Sequence, residues 1–123
     1  MSRTPELREL NKKVTAAIFR AEHLSPGVEA ELAFGEVSLI EEEIARLAPA
    51  DSMPGALARR GAITGSLSAG DWLRALMLAE AYLAEPVPHD LAQELAALRD
   101  EASIELSQSQ VPDAVQVPYT LVD

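Results

Sequence analysis

Cysteine is absent from the 123 residues, histidine occurs twice, and aromatic residues make up only 4%. Without cysteine there is no disulfide scaffold, no thiolate zinc site and no cysteine nucleophile. His23 and His89 stand at expected helix boundaries, with Arg20 and Pro86 three residues before them, so the Glu-x-x-His pattern of di-iron bundles is missing. Glu41, Glu42 and Glu43 are consecutive, so they point to different sides of a helix and do not converge on one ion. Ser52, Ser66, Ser68, Ser103, Ser107 and Ser109 lie in no Gly-x-Ser-x-Gly turn. The stretch Gly61-Ala62-Ile63-Thr64-Gly65 lacks the lysine that follows a phosphate loop.

Basic residues are scarce as well. Ten Lys and Arg face twenty Asp and Glu, for a net charge of −10. Nucleic-acid affinity comes mostly from Lys and Arg on phosphates, so no nucleic-acid partner is expected. Long apolar runs are missing too. The most apolar stretch, Trp72–Ala84, is interrupted by Arg74 and Glu80 and falls short of the ~20 residues a bilayer requires. Met1 to Lys13 is polar and has no apolar region behind it, so no export signal is read there. The expectation is a cytoplasmic protein without a membrane partner, metal, cofactor or catalytic residue.

What is present is helical. Ala and Leu supply roughly a third of the chain, and both are strong helix formers. Pro and Gly divide the sequence into five segments. Thr4 and Pro5 open the first, to about Leu24, with Leu7, Leu10, Val14, Ala17, Ala21 and Leu24 forming one stripe. Ser25–Pro26 repeats that start for a second helix to about Ala48. There Ala33, Val37, Ile40, Ile44 and Leu47 step by three and four, while Leu32 and Leu39 widen the apolar face toward a second neighbour.

The third segment, about Pro54 to Leu67 behind a cap at Asp51 or Ser52, reads as the weakest helix. Gly55, Gly61 and Gly65 each cost roughly 1 kcal/mol there relative to Ala. Gly61 and Gly65 also invite close packing of a neighbouring backbone. Asp71 caps a fourth helix to about Glu85 that is apolar nearly all round. The expectation is that it forms the centre of the core, with Trp72 inside. A fifth helix runs from Pro88 or Asp90 to about Ser107, with Leu91, Leu95, Leu98, Ala102 and Leu106 inward.

Past Gln108, Val115, Val117, Tyr119 and Leu121 alternate with Gln116, Pro118, Thr120 and Val122, a period of two. Two prolines oppose a central strand, so residues 109–123 are expected to form an extended arm beside a helical domain of residues 1–108. Short connections favour an all-α antiparallel bundle or stacked helical hairpins.

Two resemblances follow from these segments. Asp51-Ser52-Met53 resembles the prosthetic-group site of acyl carrier proteins. The chain departs from that pattern at Pro54-Gly55 and Arg59-Arg60, where acidic helix residues would stand. Gly70, Trp72 and Ala75, between a small-residue helix and Pro86, resemble a tetratricopeptide-type hairpin over residues 54–88. Ile63 and Tyr82 replace the small residues of that pattern, and no second copy follows at its period. The resemblance implies a helical hairpin of a kind that usually binds segments of other proteins, including as small secretion chaperones.

Acid is concentrated in two places, with seven acidic groups against one basic in residues 25–52 and seven against one again in residues 90–123. Glu29, Glu36 and Glu43 recur every seven residues, so they share a face of the second helix, joined by Glu42. Together with Val117, Tyr119 and Leu121 of the arm, they are the expected contacts to a partner, either another protein or a second copy. The expected function is a non-catalytic protein–protein interaction module: an adaptor, small chaperone or accessory subunit. The alternatives are a structural or regulatory small subunit of a multi-subunit enzyme, or an acidic immunity or antitoxin protein that neutralises a basic toxin.

Overall fold

The computed structural model describes residues 3–122, with side chains described from residue 5 to residue 109. Its elements are α1 (Arg3–Glu22), α2 (Val28–Leu47), α3 (Met53–Ser68), α4 (Trp72–Leu83) and α5 (His89–Val122). Among the described residues there is no strand, and no helix is long and apolar enough to cross a membrane. The all-α architecture is the one that the apolar periodicity predicts.

Each helix packs on the next, and α3 also reaches α5. Among the described residues α1 rests on α2, and α2 meets α4 only through side chains. The order fits an antiparallel bundle or stacked hairpins. Short turns enforce it. The third segment is a single helix, capped by the Ser52 hydroxyl, which accepts the Gly55 N–H at 3.1 Å. Asp71 caps α4 in the same way, accepting the Arg74 N–H at 3.2 Å.

At the start of α2 the structure differs from the expected Ser25–Pro26 cap. The chain enters through Gly27 at φ 151°, with no side-chain cap. A backbone in that region excludes most L side chains, so the turn selects glycine over a capping serine.

The apolar stripes are inward as their spacing requires. Val14, Ala17 and Ala21 of α1, Ala33, Val37 and Ile44 of α2, and Leu91, Leu95 and Ala102 of α5 are all in the core. The centre, however, is α3 rather than α4. Among the described residues α3 alone touches three other helices, and its Ala58, Ala62, Ile63, Gly65 and Ser66 are buried. Small residues, of which Gly and Ser lower its intrinsic helix stability, are what let three neighbours approach. Where α2 crosses it, the Ser38 hydroxyl donates to the Ala62 carbonyl at 2.7 Å and lies 2.9 Å from the Ser66 hydroxyl, all buried.

α4 contributes Ala75, Leu78, Ala79 and Tyr82 to the core but leaves Leu73 and Met77 exposed, and Trp72 is half-buried at its first residue. The near-uniform apolarity of α4 therefore misplaces the hub by one helix.

α5 also differs from expectation. Its backbone stays helical through Val122 instead of giving way to an extended arm after Gln108. The period-two alternation has no strand to pair with among the described residues. A helix satisfies most backbone groups locally where an extended chain would satisfy none. The side chains of Val117, Tyr119 and Leu121 lie outside the described residues.

Candidate interaction groove

α2 is apolar on two opposite faces. Its inward face meets α1 and α3. On the outward side Val28, Leu32, Gly35 and Leu39 recur at i, i+4, i+7 and i+11, one continuous stripe over three turns. Val28 and Leu32 are 71% exposed and Leu39 58%, so large aliphatic side chains stand in water along the whole stripe. The widened face read from Leu32 and Leu39 is present, but no neighbour among the described residues covers it.

The stripe forms one wall of a groove of about 530 Å³. Ser66 and Ala69, at the end of α3, are its floor, and Asp71 and Arg74 at the start of α4 are its far wall. The groove exists because α2 and α4 are held apart across α3. Arg74 spans the gap, donating from Nε to the Ser38 hydroxyl at 3.2 Å and from Nη2 to Glu42 at 2.7 Å. A larger hollow of about 900 Å³ runs along α1, past Leu7, Asn11 and Phe19. Its described lining comes from α1 alone.

At about 100° per residue, Glu29, Glu36 and Glu43 follow one edge of the stripe, and Glu31 and Glu42 the other. The shared face expected for the first three is present, but arginines of the same chain occupy much of it. Glu36 pairs with Arg20 of α1. Glu43 lies 3.3 Å from Arg46, and Glu42 is half-buried between Arg74 at 2.7 Å and Arg46 at 3.4 Å. Glu42 thus ties α2 to α4 rather than facing outward. Among the described residues Glu29, Glu31 and Asp71 make no ion pair. Sequence periodicity identified the acidic edge and missed Val28, Gly35 and Arg74. Apolar spacing cannot say which of two stripes a helix will bury.

Ser52 and His23 do not line this groove. Ser52 is engaged twice by backbone, accepting from Gly55 and donating to the Pro49 carbonyl at 2.7 Å. His23 is exposed, its Nδ1 2.8 Å from the Phe19 carbonyl. No group of three or more His, Asp or Glu among the described residues is placed to hold a metal ion.

Glu41 is a different case. It is half-buried over Gly61, beside Ile18, Phe34 and Val37, with Glu22 the other charged residue lining that hollow. Burial pushes its carboxyl up to about 7 from the ordinary 4.5. The unfolded chain releases this proton first, so the contribution of Glu41 to stability is most favourable below pH 4.5 and falls as pH rises through 7. Allowing for solvent screening at a half-exposed site, the loss is about 1 kcal/mol. Glu41→Gln should therefore leave acid stability unchanged and raise stability near pH 8 by about that amount, read by urea denaturation across pH. An unchanged pH profile would remove this role from Glu41.

Comparison of the chain with protein-family models, with curated proteins and with solved structures finds no match.

Proposed function

We propose that the chain is a non-catalytic protein–protein interaction module, an adaptor, small chaperone or accessory subunit, that takes its partner along the outward stripe of α2. One observation carries this reading: Val28, Leu32 and Leu39 stand exposed in register beside a groove. Scattered surface leucines are ordinary, but an ordered apolar line rimmed by polar groups is the anatomy of an interface. Covering the three side chains is worth roughly 3–6 kcal/mol before association costs, enough to matter for binding.

The test is recovery of partners from the native host with tagged wild-type chain and with a Leu32→Ser/Leu39→Ser double variant. Both positions are exposed, so the variant should keep its thermal midpoint. The expected result is one or more proteins recovered stoichiometrically with the wild type and lost from the variant, as shown by mass spectrometry. Identical recovery from both would overturn the assignment of the interaction to this stripe.

A further inference from the structure

We infer that the occupant of the α2–α4 groove is a basic amphipathic helix belonging to another protein, an inference that rests on the interaction reading given above. Shape sets the first requirement. The stripe from Val28 to Leu39 covers eleven residue steps, about 16 Å at 1.5 Å per residue. That matches an antiparallel or parallel helix of three to four turns whose own anchors fall at i, i+4, i+7 and i+11. The walls are helices and no sheet edge is exposed among the described residues, so strand addition has no template. Midway along the wall, Gly35 presents no side chain, and the nearest atom to a Cβ placed there is the Ala69 methyl at 3.9 Å. A helix ridge can settle at that point against backbone.

Charge sets the second requirement. Of the carboxylates around the groove, Glu36 and Glu42 are matched by Arg20 and Arg74, whereas Glu29, Glu31 and Asp71 have no cation within 4 Å among the described residues. A partner covering the apolar stripe brings its flanking residues against these three. Lys or Arg there is attracted, and Asp or Glu is repelled. The same field disfavours a second copy of this chain, which carries −10 and would set one acidic rim against another.

The probe is a fluorescein-labelled, lactam-stapled peptide of about fourteen residues, with Leu at i, i+4, i+7 and i+11 and Lys on the flanks. Its twin carries Glu in place of every Lys. Fluorescence anisotropy against the full chain should show the basic peptide binding at least about tenfold more tightly than the twin, and weakening severalfold at high salt. Leu32→Ser/Leu39→Ser should weaken it about tenfold or more. A Glu29→Lys/Glu31→Lys variant should shift the preference toward the acidic twin. Amide shifts on binding should cluster in residues 28–39 and 66–74.

Equal binding of the two peptides overturns the occupant's charge while leaving an interaction surface in place. A wild-type dimer in light scattering that Leu32→Ser/Leu39→Ser converts to monomer makes a second copy the occupant, which overturns this inference and supports the broader reading. No binding by either peptide overturns the inference alone, because partner recovery from the host decides the broader reading separately.

Discussion

Arg59→Met is expected to destabilise the fold by about 3 kcal/mol, a large share of the total for a domain of this size. Arg59 is buried in α3, yet every part of its guanidinium has a partner. Nη1 donates to the Ala48 carbonyl at 2.9 Å and to the Gly55 carbonyl at 3.0 Å, while Nε and Nη2 donate to Glu85 at 2.7 and 3.3 Å. The cation also lies 5.5 Å from the centre of the Tyr82 ring. One side chain therefore joins the end of α2, the first turn of α3 and the end of α4. Methionine fills most of the volume but donates nothing. It leaves the Ala48 carbonyl without this donor at a buried residue and removes the cation from the tyrosine face.

Glu85→Gln is the control that separates charge from bonding. Glu85 is 39% exposed, and glutamine keeps an acceptor for Arg59, so its cost should be about 1 kcal/mol. Tyr82 adds no bond of its own. Its hydroxyl is buried without a partner among the described residues, and burial, with the nearby Glu42 charge, pushes the phenol up to about 12. Urea denaturation followed by far-UV circular dichroism measures the series. A change below about 1 kcal/mol for Arg59→Met would show that packing alone joins these helices.

Most of this fold is legible in the periodicity, because a stripe at helical spacing states a helix and, where the helix has only one stripe, the side it buries. The stripes of α1, α2 and α5 are inward, and the α3 and α4 caps fall on Ser52 and Asp71 as their residue types require. The failures share a cause, which is that hydrophobicity counts apolar residues while packing depends on shape. α4 has the larger side chains, but two of them, Leu73 and Met77, face water, and the centre passes to α3 because Ala, Ser and Gly admit three neighbours.

The site was half visible for the same reason. Glu29, Glu36 and Glu43 announce a shared edge, and the spacing of Arg46 from Glu42 and Glu43 announces its pairing, but no local signal says that Arg20 and Arg74 come to neutralise part of it. Those pairings are long-range or set by rotamer. The groove needs α2 and α4 to stand apart across α3, which is a property of the assembled stack.

Gly55→Ala is expected to have the largest effect of any single methyl group added to this protein, preventing stable folding. A Cβ at Gly55 would overlap the Pro49 carbonyl oxygen, lie 2.6 Å from the Pro49 carbonyl carbon and sit 2.9 Å from the Ala48 oxygen. All three are backbone atoms of the turn that Ser52 and Arg59 hold closed, so none yields cheaply. Gly65→Ala should cost less, about 1–2 kcal/mol net. Its Cβ would meet the Phe34 oxygen and the Ser38 nitrogen at 3.1 Å, again backbone, offset partly by the better helix propensity of alanine. Gly61→Ala meets only the Glu41 carboxylate, at 2.5 Å, a flexible end that can swing toward solvent, so it should be near neutral. Gly35→Ala has nothing closer than 3.9 Å and should stabilise by up to about 1 kcal/mol. Propensity alone predicts four equal gains from these substitutions, whereas contact with backbone predicts an order, Gly55 far worse than Gly65, and Gly61 and Gly35 harmless. Thermal midpoints of the four variants decide between them. A folded Gly55→Ala with an undiminished midpoint would mean that the α2–α3 turn does not close as described and that α3 is not held by it.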